Sequence, residues 1–342
     1  MNPENEKIEV SIVCAAFNHE KYIAQCLEGF VTQSTDFKFE AIVHDDCSSD
    51  STPEIIREYA EKYPDIIKPV FEEENQKSKG VAITGDIIIP RSGGKYLAFC
   101  EGDDYWCDSK KLQRQYDYME EHPECAMCVH NTLRHDLDGG QEDLKFNDWS
   151  DVHTMSEEDV FFGWNVHLSS YFIRKEYYDR PEYKKKYWFG DYVTLLHAYA
   201  QGTVVCLPYV MSVYNFNNHA GVTYQNKNNG YEILAKRTSL RRDFLLEFDE
   251  YTDHKYNDVI SRRIEEIEFK TDKFWLEGLI GQNTCSKEEI LKCARKLEDD
   301  PYLQGVLAQV HGLSKLKQLY RYHGYKYGYR VWRSLLKSRQ KT

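Results

Sequence analysis

The sequence has no apolar run close to the roughly 20 residues that a helix needs to span a bilayer, so we expect no membrane-spanning segment. It also lacks a secretory signal peptide at its start, because Met1 to Glu9 are polar and acidic. The ten cysteines are scattered, and Cys14, Cys100 and Cys206 lie within apolar runs, as buried free thiols do. These features favour a cytoplasmic protein with reduced cysteines.

Zinc-type cysteine spacing and internal repeats are missing as well. Cys125 and Cys128 form a single CxxC pattern. Without a second pair at zinc spacing, we interpret this pattern as part of a strand or of the core.

Basic residues are outnumbered by acidic ones, 44 against 56, which gives a formal net charge of −12. Nine of the basic residues lie in residues 314–342, which contain no Asp or Glu, so the rest of the chain holds 35 basic and 56 acidic residues, or −21. The acidic body is a poor candidate for binding nucleic acid. The tail interleaves its basic residues with apolar ones, and two interpretations stay open: a helix that lies on an anionic membrane surface, or a helix docked on the acidic body.

Strands and helices alternate through the first third of the chain. Apolar residues at helical spacing predict helices after Asn18 and Thr52, which we interpret as capping residues, and a helix-like stretch from Ile83 to Ile89. Short apolar runs predict strands at Val10 to Ala15, Phe39 to His44, Lys68 to Phe71 and Tyr96 to Phe99. This alternation with short connections predicts an α/β fold with a parallel, doubly wound sheet.

The pattern becomes less regular after Lys111. We predict helices at 111–121 and 191–200, and strands at 125–131, 168–174 and, in one or two pieces, 203–214. Residues 137–164 are acidic, aromatic and irregular, and beyond about residue 230 the chain is helical, charged and rich in tyrosine. We therefore place a soft boundary between residues 229 and 230.

Three carboxylates follow the fourth predicted strand within four residues: Glu101, Asp103 and Asp104. They repel each other, and a hard divalent cation, Mg²⁺ or Mn²⁺, is the natural counter-charge and commonly also holds substrate phosphates. An acidic surface turn is the alternative. The position at the carboxyl end of a strand favours a ligand site, because open α/β sheets bind ligands there.

Two further acidic sites lie at element ends: Asp45 and Asp46 after the second strand, and Asp191 at a helix start. The first of these shares the carboxyl edge of the sheet with Glu101 to Asp104, so both can face one ligand. There Asp46 could accept from a base N–H or a ribose hydroxyl, and the Phe17 ring could stack on the base. For Asp191 taken alone, a structural acid at a helix N-terminus is the alternative.

Four motifs in order resemble the large inverting family 2 of nucleotide-sugar glycosyltransferases. They are Ala15-Ala16-Phe17-Asn18, then Val43-His44-Asp45-Asp46-Cys47-Ser48-Ser49-Asp50, then Glu101-Gly102-Asp103-Asp104, then Gly190-Asp191. The resemblance covers roughly residues 8 to 225. It implies the GT-A fold, a Rossmann-like, mostly parallel sheet flanked by helices, here with a C-terminal helical extension. The glycosyltransferase domain would be residues 1–229, with a nucleotide-binding half at about 8–110 and an acceptor half at about 111–229, followed by a helical region with a basic tail at 230–342.

The resemblance implies roles for individual residues. Asp191 matches the catalytic base. The surroundings of a Mn²⁺ or Mg²⁺ ion are matched by Asp103 and Asp104, and by His219 from the segment that closes over the diphosphate. The remaining matches bind the nucleotide or the donor sugar: Ala15, Phe17, Asn18, Asp46, Glu101, Gly102, Asp103, Asn165 and His167. For Asn165 and His167, ordinary loop hydrogen bonding is an equal alternative.

Two departures from the family pattern matter. Glu101 replaces the usual first Asp of the DxD signature, and its longer side chain could reach the ribose or a water. The Gln-x-x-Arg-Trp motif of processive polymerases is absent, since Val213 to Phe216 occupy that region. The second departure argues against a synthase of long polymers.

The resemblance thus implies a metal-dependent, inverting transfer of a sugar, from UDP in the first place, to a hydroxyl of a glycan or lipid-linked acceptor in cell-surface polysaccharide synthesis. The enzyme would be cytoplasmic, with residues 314–342 as an optional contact to the inner face of the membrane. One alternative is a non-catalytic nucleotide-sugar-binding or scaffold protein on the same fold. A sugar nucleotidyltransferase is the other alternative, disfavoured because residues 15–18 form no Gly-rich phosphate loop.

Overall fold

The computed structural model describes residues 7–163, 165–178, 187, 189–218 and 231–268. By its internal contacts the chain divides into two compact units. The first comprises Met1–Asn228 and Phe244–Ile260, and the second comprises Asn229–Asp243 and Ser261–Thr342. The predicted domain boundary at residues 229 and 230 stays a prediction.

The described strands of the first unit form one ten-stranded sheet. Their bounds are β1 Ile8–Ala16, β2 Lys38–Asp45, β3 Ile67–Phe71, β4 Tyr96–Phe99, β5 Tyr105–Trp106, β6 Cys125–Asp136, β7 Leu144–Lys145, β8 His153–Thr154, β9 Phe172–Arg174 and β10 Thr203–Phe216. The main strand order is β3-β2-β1-β4-β9-β6-β10-β5, with β7 beside β6 and β8 beside β10.

Parallel pairs make up the first half of this sheet, from β3 through β2 and β1 to β4. The strand β9 then runs antiparallel to both β4 and β6, while β6 and β10 are parallel to each other. The sheet is therefore mixed and mostly parallel, and the predicted α/β fold is confirmed. The continuous apolar runs of β1 and β2 fit strands that are covered on both faces.

Seven α-helices have assigned bounds within the described residues. Their bounds are α1 Ile23–Val31, α2 Thr52–Lys62, α3 Lys111–Glu121, α4 Glu157–Phe162, α5 Lys175–Tyr178, α6 Gly190–Gln201 and α7 Tyr231–Tyr251. Residues 257–268 are helical as well. In the second unit, Arg242 Nη1 lies 3.4 Å from Glu268 Oε1.

The core of the first unit lies between the parallel strands and helices α1, α2 and α3. Phe30 of α1 meets the indole ring of Trp106 edge to face, with ring centroids 4.9 Å apart. A side chain on Gly29 would bring its Cβ to 2.8 Å from the Trp106 carbonyl oxygen, so only glycine fits there. Burying a side chain such as Phe30 contributes roughly 1.5–3 kcal/mol.

Several local predictions were wrong. Helix α1 begins at Ile23, so Asn18 does not cap it and lies in the preceding loop. Residues 168–170, predicted as part of a strand, form a 3₁₀ turn before β9. The helix-like stretch predicted from Ile83 to Ile89 is present, as a π-type turn at 83–88 and a 3₁₀ turn at 89–91. Within the described residues, none of the helices has the length and apolar character to cross a membrane.

Candidate active site

Three loops leave the sheet at the same edge, because β1, β2 and β4 are adjacent and parallel. Ala16 at the end of β1 lies beside Asp45 of β2, and Val13 lies beside Phe99 of β4. The loops that follow these strands therefore emerge side by side. They carry most of the residues that the sequence motifs single out.

The loop after β1 is tied to the loop after β2 through Asn18. Asn18 has φ +56°, a left-handed conformation that Asn tolerates better than most residues. Its backbone N–H donates to Ser48 Oγ at 2.8 Å, and its Oδ1 accepts from the Ser49 N–H at 2.9 Å. The side chain of Phe17 is 44% exposed at this edge, whereas Ala15 supplies a carbonyl that accepts from the Gly102 N–H at 2.9 Å.

The buried carboxylate of Asp46 binds a neighbouring loop. Its two oxygens accept from the backbone N–H groups of Gln76, at 2.7 Å, and Lys77, at 3.1 Å. Its carbonyl accepts from the side chain of Asn75 at 3.2 Å. Asp46 therefore holds the loop at residues 75–77, and among the described contacts it makes none with the acids of residues 101–104.

Gly102 sets the course of the loop after β4. A Cβ on this residue would lie 2.9 Å from His19 Nδ1 and 3.0 Å from both Ala16 Cβ and Ile23 Cδ1. The loop can therefore lie against the end of β1 only because residue 102 is glycine. The carbonyl of Glu101 next to it accepts from the buried thiol of Cys26 at 3.5 Å.

Asp103 is held by the end of β10 and faces a histidine. Its carbonyl accepts from Asn215 Nδ2 at 2.7 Å, and its Oδ2 accepts from Asn218 Nδ2 at 3.0 Å. His19 Nε2 lies 3.9 Å from the same Oδ2. The carboxylate of Asp103 keeps 18% of its side-chain exposure.

Asp104 is almost fully buried. Its Oδ1 accepts from the backbone N–H of Asn215 at 3.0 Å, and its Oδ2 lies 3.7 Å from His167 Nδ1. Burial, the charge of Asp103 and the charge of Glu101 raise the pKa of Asp104 well above its ordinary value. This acid thus lies in a position where a cation would stabilise its charged form.

Glu101 is perturbed in the same direction. Desolvation of its carboxyl group and the charges of Asp103 and Asp191 raise the pKa of Glu101 to about 7, although the Lys77 ammonium group acts in the opposite direction. Within the part of the chain that the structure describes, the carboxylates of residues 101–104 have no Lys or Arg ion-pair partner.

Asp191 lies in the first turn of α6, with an exposed side chain. Its Oδ1 accepts from the Tyr192 N–H at 2.8 Å, and its carbonyl is 3.5 Å from the Tyr171 hydroxyl. Its charge acts on Glu101 and, after burial, is the second cause of the raised pKa of Tyr171. Asp191 is therefore electrostatically coupled to the acidic loop.

His167 and Asn165 lie before the 3₁₀ turn that precedes β9. His167 faces Asp104 and stacks on Tyr214 with ring centroids 4.3 Å apart. Burial lowers the pKa of His167 to about 4, against a smaller opposing effect of Asp103. The side chain of Asn165 instead donates to the Asp159 carbonyl at 3.4 Å, a contact within the local loop.

His219 and the tail at residues 314–342 lie outside the described residues, so their predicted roles stay predictions. The structure adds His19, Asn215 and Asn218 to the residues around the acidic loop. His19 follows the Phe17-Asn18 motif directly, and that proximity was a usable signal. For Asn215 and Asn218 the sequence offered no such signal, because they lie more than 110 positions from Asp103 along the chain.

The acidic loop suits a divalent cation in its chemistry. Its carboxylate oxygens are hard ligands of the kind that Mg²⁺ and Mn²⁺ prefer, and no described Lys or Arg forms an ion pair with them. Among the described residues, no three acidic, histidine or cysteine side chains form a ready-made set of ligands. One or two carboxylates completed by phosphate oxygens and water is the usual arrangement for Mg²⁺.

Comparison with known families gives a match to the model of glycosyl transferase family 2 over residues 11–172. An uncharacterised protein of Mycobacterium tuberculosis is 35% identical over 213 residues, 61% of this chain and 59% of that protein. TuaG of Bacillus subtilis, assigned to teichuronic acid biosynthesis as a glycosyltransferase, is 35% identical over 117 residues, 34% of this chain and 44% of TuaG. The chain thus spans less than two thirds of the length of these relatives.

Two solved structures illustrate the similarity of fold. TarS of S. aureus, residues 1–349 with UDP-GlcNAc, has a TM-score of 0.57 at 18% identity, covering 80% of each chain. The mannosyltransferase PcManGT of Pyrobaculum calidifontis, with GDP-Man and Mn²⁺, has a TM-score of 0.51 at 14% identity, covering 94% of this chain and 89% of that one. These similarities agree with the GT-A fold.

Proposed function

We propose that this chain is a glycosyltransferase of family 2 that transfers a sugar from a UDP-sugar to a hydroxyl group with inversion of the anomeric centre. One observation carries the proposal: the loop at residues 101–104 holds three carboxylates that form no ion pair with a Lys or Arg of the described residues, and the charge of Asp191 acts on one of them, Glu101. A nucleotide-binding site without catalysis would have no need for the coupled acid at residue 191.

Asp191 is the proposed general base. Its carboxylate is exposed at the start of α6 and is coupled to Glu101, so an acceptor hydroxyl can reach it beside the donor site. Removal of the hydroxyl proton by Asp191 lets the oxygen attack the anomeric carbon in line. A single displacement inverts that carbon, and positioned base catalysis of this kind contributes roughly 10²–10⁴-fold.

Asp103 and Asp104 are the proposed residues that hold Mn²⁺ or Mg²⁺, with His219 as a further residue from the predictions. A divalent cation, when bound, neutralises charge that develops on the departing diphosphate. Asn215 and Asn218 fix the position of Asp103, and the Asn215 backbone fixes Asp104. Glu101 and Gly102 complete the loop, with Glu101 directed to the ribose or to a water.

Phe17, Asn18 and Asp46 are the proposed contacts to the nucleotide, with Ala15 as backbone support. The exposed ring of Phe17 can lie against the uracil. Asp46 has about four acceptor positions on its carboxylate, and two of them are used by the N–H groups of Gln76 and Lys77. The others remain for a base N–H.

Cell-surface polysaccharide synthesis is the proposed context, with a glycan or lipid-linked saccharide as acceptor. The name of TuaG refers to teichuronic acid, and a further relative, from Bacillus spizizenii, is named poly(ribitol-phosphate) beta-glucosyltransferase, 32% identical over 115 residues. These names support the proposal by analogy. A cytoplasmic location, with contact of residues 314–342 to the inner membrane face, belongs to the same proposal.

The test is a transfer assay with a panel of UDP-sugars and Mn²⁺, read by UDP release and by the anomeric signals of the product. Replacing Asp191 by Asn should lower the rate roughly 10²–10⁴-fold while UDP affinity stays unchanged. Glu157→Gln is a matched control, since Glu157 is also an exposed acid in the first turn of a helix. Transfer at the normal rate by Asp191→Asn would refute the role of the base, and a retained anomeric configuration would refute the inverting mechanism.

A further inference from the structure

A chain of buried hydroxyl groups leads from the sheet to the ring of His167. Its members are fully or almost fully buried: Thr132 of β6, Ser212 of β10, Ser169 of the 3₁₀ turn, and His167. Thr132 Oγ1 and Ser212 Oγ are 2.9 Å apart, Ser212 Oγ and Ser169 Oγ are 2.9 Å apart, and Ser169 Oγ lies 2.9 Å from His167 Nδ1. Buried polar groups destabilise the fold unless they are hydrogen-bonded. This series of hydrogen-bonded hydroxyl groups therefore holds the His167 ring in one arrangement.

The backbone of Ser169 fixes the direction of the last contact. Its N–H, which can only donate, points to His167 Nδ1 at 3.3 Å. Nδ1 must therefore offer its lone pair, and the proton of the neutral imidazole lies on Nε2. The Ser169 hydroxyl at 2.9 Å can donate to the same Nδ1 and so favours the same tautomer.

The turn that carries Ser169 is itself held by two buried donors. Trp106 Nε1 donates to the Ser169 carbonyl at 3.0 Å, and Gln115 Nε2 donates to the Ser170 carbonyl at 2.9 Å. The imidazole of His167 stacks on Tyr214 with an angle of 25° between the rings. Stacking on Tyr214 fixes the plane of the imidazole ring, and the contacts of Nδ1 with Ser169 fix the orientation of the ring within that plane.

The other nitrogen of this ring is available to a ligand. Within the described part of the chain, no hydrogen bond to His167 Nε2 is found, and the side chain keeps 11% of its exposure. Asp104 Oδ2 is only 3.7 Å from the opposite nitrogen, so the ring lies at the wall of the proposed donor site. A fixed N–H donor at such a wall suits an oxygen atom of the bound substrate.

We propose that His167 donates a hydrogen bond from Nε2–H to an oxygen of the bound nucleotide sugar, and that Ser169 is the positioning residue that holds this tautomer. The inference rests on the proposed function, because it names a contact within that donor site. The substrate oxygen belongs either to the diphosphate or to the sugar. Both present the same acceptor chemistry.

The first test measures the tautomer in the free, full-length protein by long-range ¹H–¹⁵N correlation of ¹⁵N-labelled histidine, with the His167→Gln spectrum as the assignment. We expect an unprotonated Nδ1 and a protonated Nε2. Ser169→Ala should give a mixed population, because only the longer backbone contact remains. Ser170→Ala is the matched control: its hydroxyl is equally buried but bonds to the His167 carbonyl, at 2.6 Å, and not to the ring.

The second test compares steady-state transfer, and affinity for UDP and for the UDP-sugar used, in two replacements of His167. His167→Phe keeps a ring but no donor, and kcat/KM should fall about 10-fold, the equivalent of one lost hydrogen bond. His167→Gln keeps an N–H at the ε position and should recover much of that loss. A reduced affinity for UDP itself would locate the oxygen on the diphosphate, and a loss confined to the UDP-sugar would locate it on the sugar.

Two results would overturn the inference while leaving the proposed function intact. One is a protonated Nδ1 in the wild-type spectrum. The other is a wild-type kcat/KM in His167→Phe with normal transfer activity. Absence of all transfer in the wild-type protein would instead refute the proposed function, and the tautomer measurement would still stand.

Discussion

Two acidic loops leave the same edge of the sheet, one after β2 and one after β4, and their carboxylates have opposite surroundings. After β2, each acid accepts at least one backbone N–H group: Ser48 donates to Asp45, Gln76 and Lys77 donate to Asp46, and Glu20 and Thr52 donate to Asp50. After β4, the carboxylates of Glu101, Asp103 and Asp104 receive fewer donors, and the charges of neighbouring acids add to burial in raising the pKa of Glu101 and of Asp104.

The comparison separates acids whose charge is already stabilised by backbone donors from acids that have few donors. Asp46 belongs to the first group, although it is also a proposed contact to the nucleotide. A carboxylate that accepts backbone N–H groups is stabilised in its charged form. A carboxylate that faces other acids is destabilised in its charged form by repulsion, and a bound cation or proton relieves that repulsion. The number of donors around each group therefore distinguishes the loops, although their sequences are similarly acidic.

The largest expected effect comes from the loop after β4. Replacing Asp103 by Asn should lower sugar transfer about 10²–10³-fold, as the loss of one preorganised electrostatic group does, with no loss of stability. The measurement is the initial rate with Mn²⁺ alongside urea unfolding. The control is Asp65→Asn, which changes an exposed acid remote from both loops in sequence and should alter neither the rate nor the stability. Normal turnover by Asp103→Asn would contradict the proposed difference between the two loops.

The next effect concerns stability and the loop after β2. An Asn at position 46 can accept from only one of the N–H groups of Gln76 and Lys77, and its own N–H₂ would face the other. We expect a loss of about 2–3 kcal/mol in the free energy of unfolding, because hydrogen bonds to charged groups are worth about 1.5–3 kcal/mol. Urea unfolding of Asp46→Asn beside Asp65→Asn measures it. Unchanged stability would mean that Asp46 does not hold residues 75–77.

The sequence predicts the regular half of the fold well. The continuous apolar runs of β1, β2 and β4 and the helical spacing in α2 and α3 are local signals, and the structure contains these elements close to the predicted bounds. The stretch from Ile83 to Ile89 has helical spacing too, yet it forms short π and 3₁₀ turns. The spacing of apolar residues does not distinguish an α-helix from such turns, so the local sequence alone could not predict this conformation.

The site was predictable in its acids but not in their partners. Asp46 meets Gln76 from 30 positions away, and Asp103 meets Asn218 from 115 positions away. Such contacts depend on how loops close over the sheet edge, which a single sequence does not encode locally. For this reason the backbone hydrogen bonds to Asp46 and the hydroxyl chain behind His167 became visible only in three dimensions.

The smallest effect sharpens the comparison through pH. The folded-state pKa of Glu101 is raised from 4.5 to about 7, so its ionisation destabilises the fold as pH rises through that interval. Glu101→Gln should therefore match the wild type near pH 5 and exceed it in stability near pH 8. Although neighbouring atoms desolvate the carboxyl group, residue 101 as a whole is exposed, so solvent screens the repulsion and we expect about 1 kcal/mol or less.

Urea unfolding in EDTA at both pH values measures this difference. Addition of Mn²⁺ at the higher pH should stabilise the wild type more than Glu101→Gln, since a cation relieves the repulsion that the substitution has already removed. If the wild type were more stable than Glu101→Gln at the higher pH without metal, the proposed repulsion among the carboxylates of this loop would be contradicted.

Calorimetric titration of UDP into the full-length protein, once with Mn²⁺ and once with EDTA, tests the central claim most directly. If the acids of residues 101–104 hold a cation that in turn holds a diphosphate, UDP should bind at least about tenfold more tightly with Mn²⁺, a gain of roughly 1.4 kcal/mol. Equal affinity under the two conditions would contradict the account.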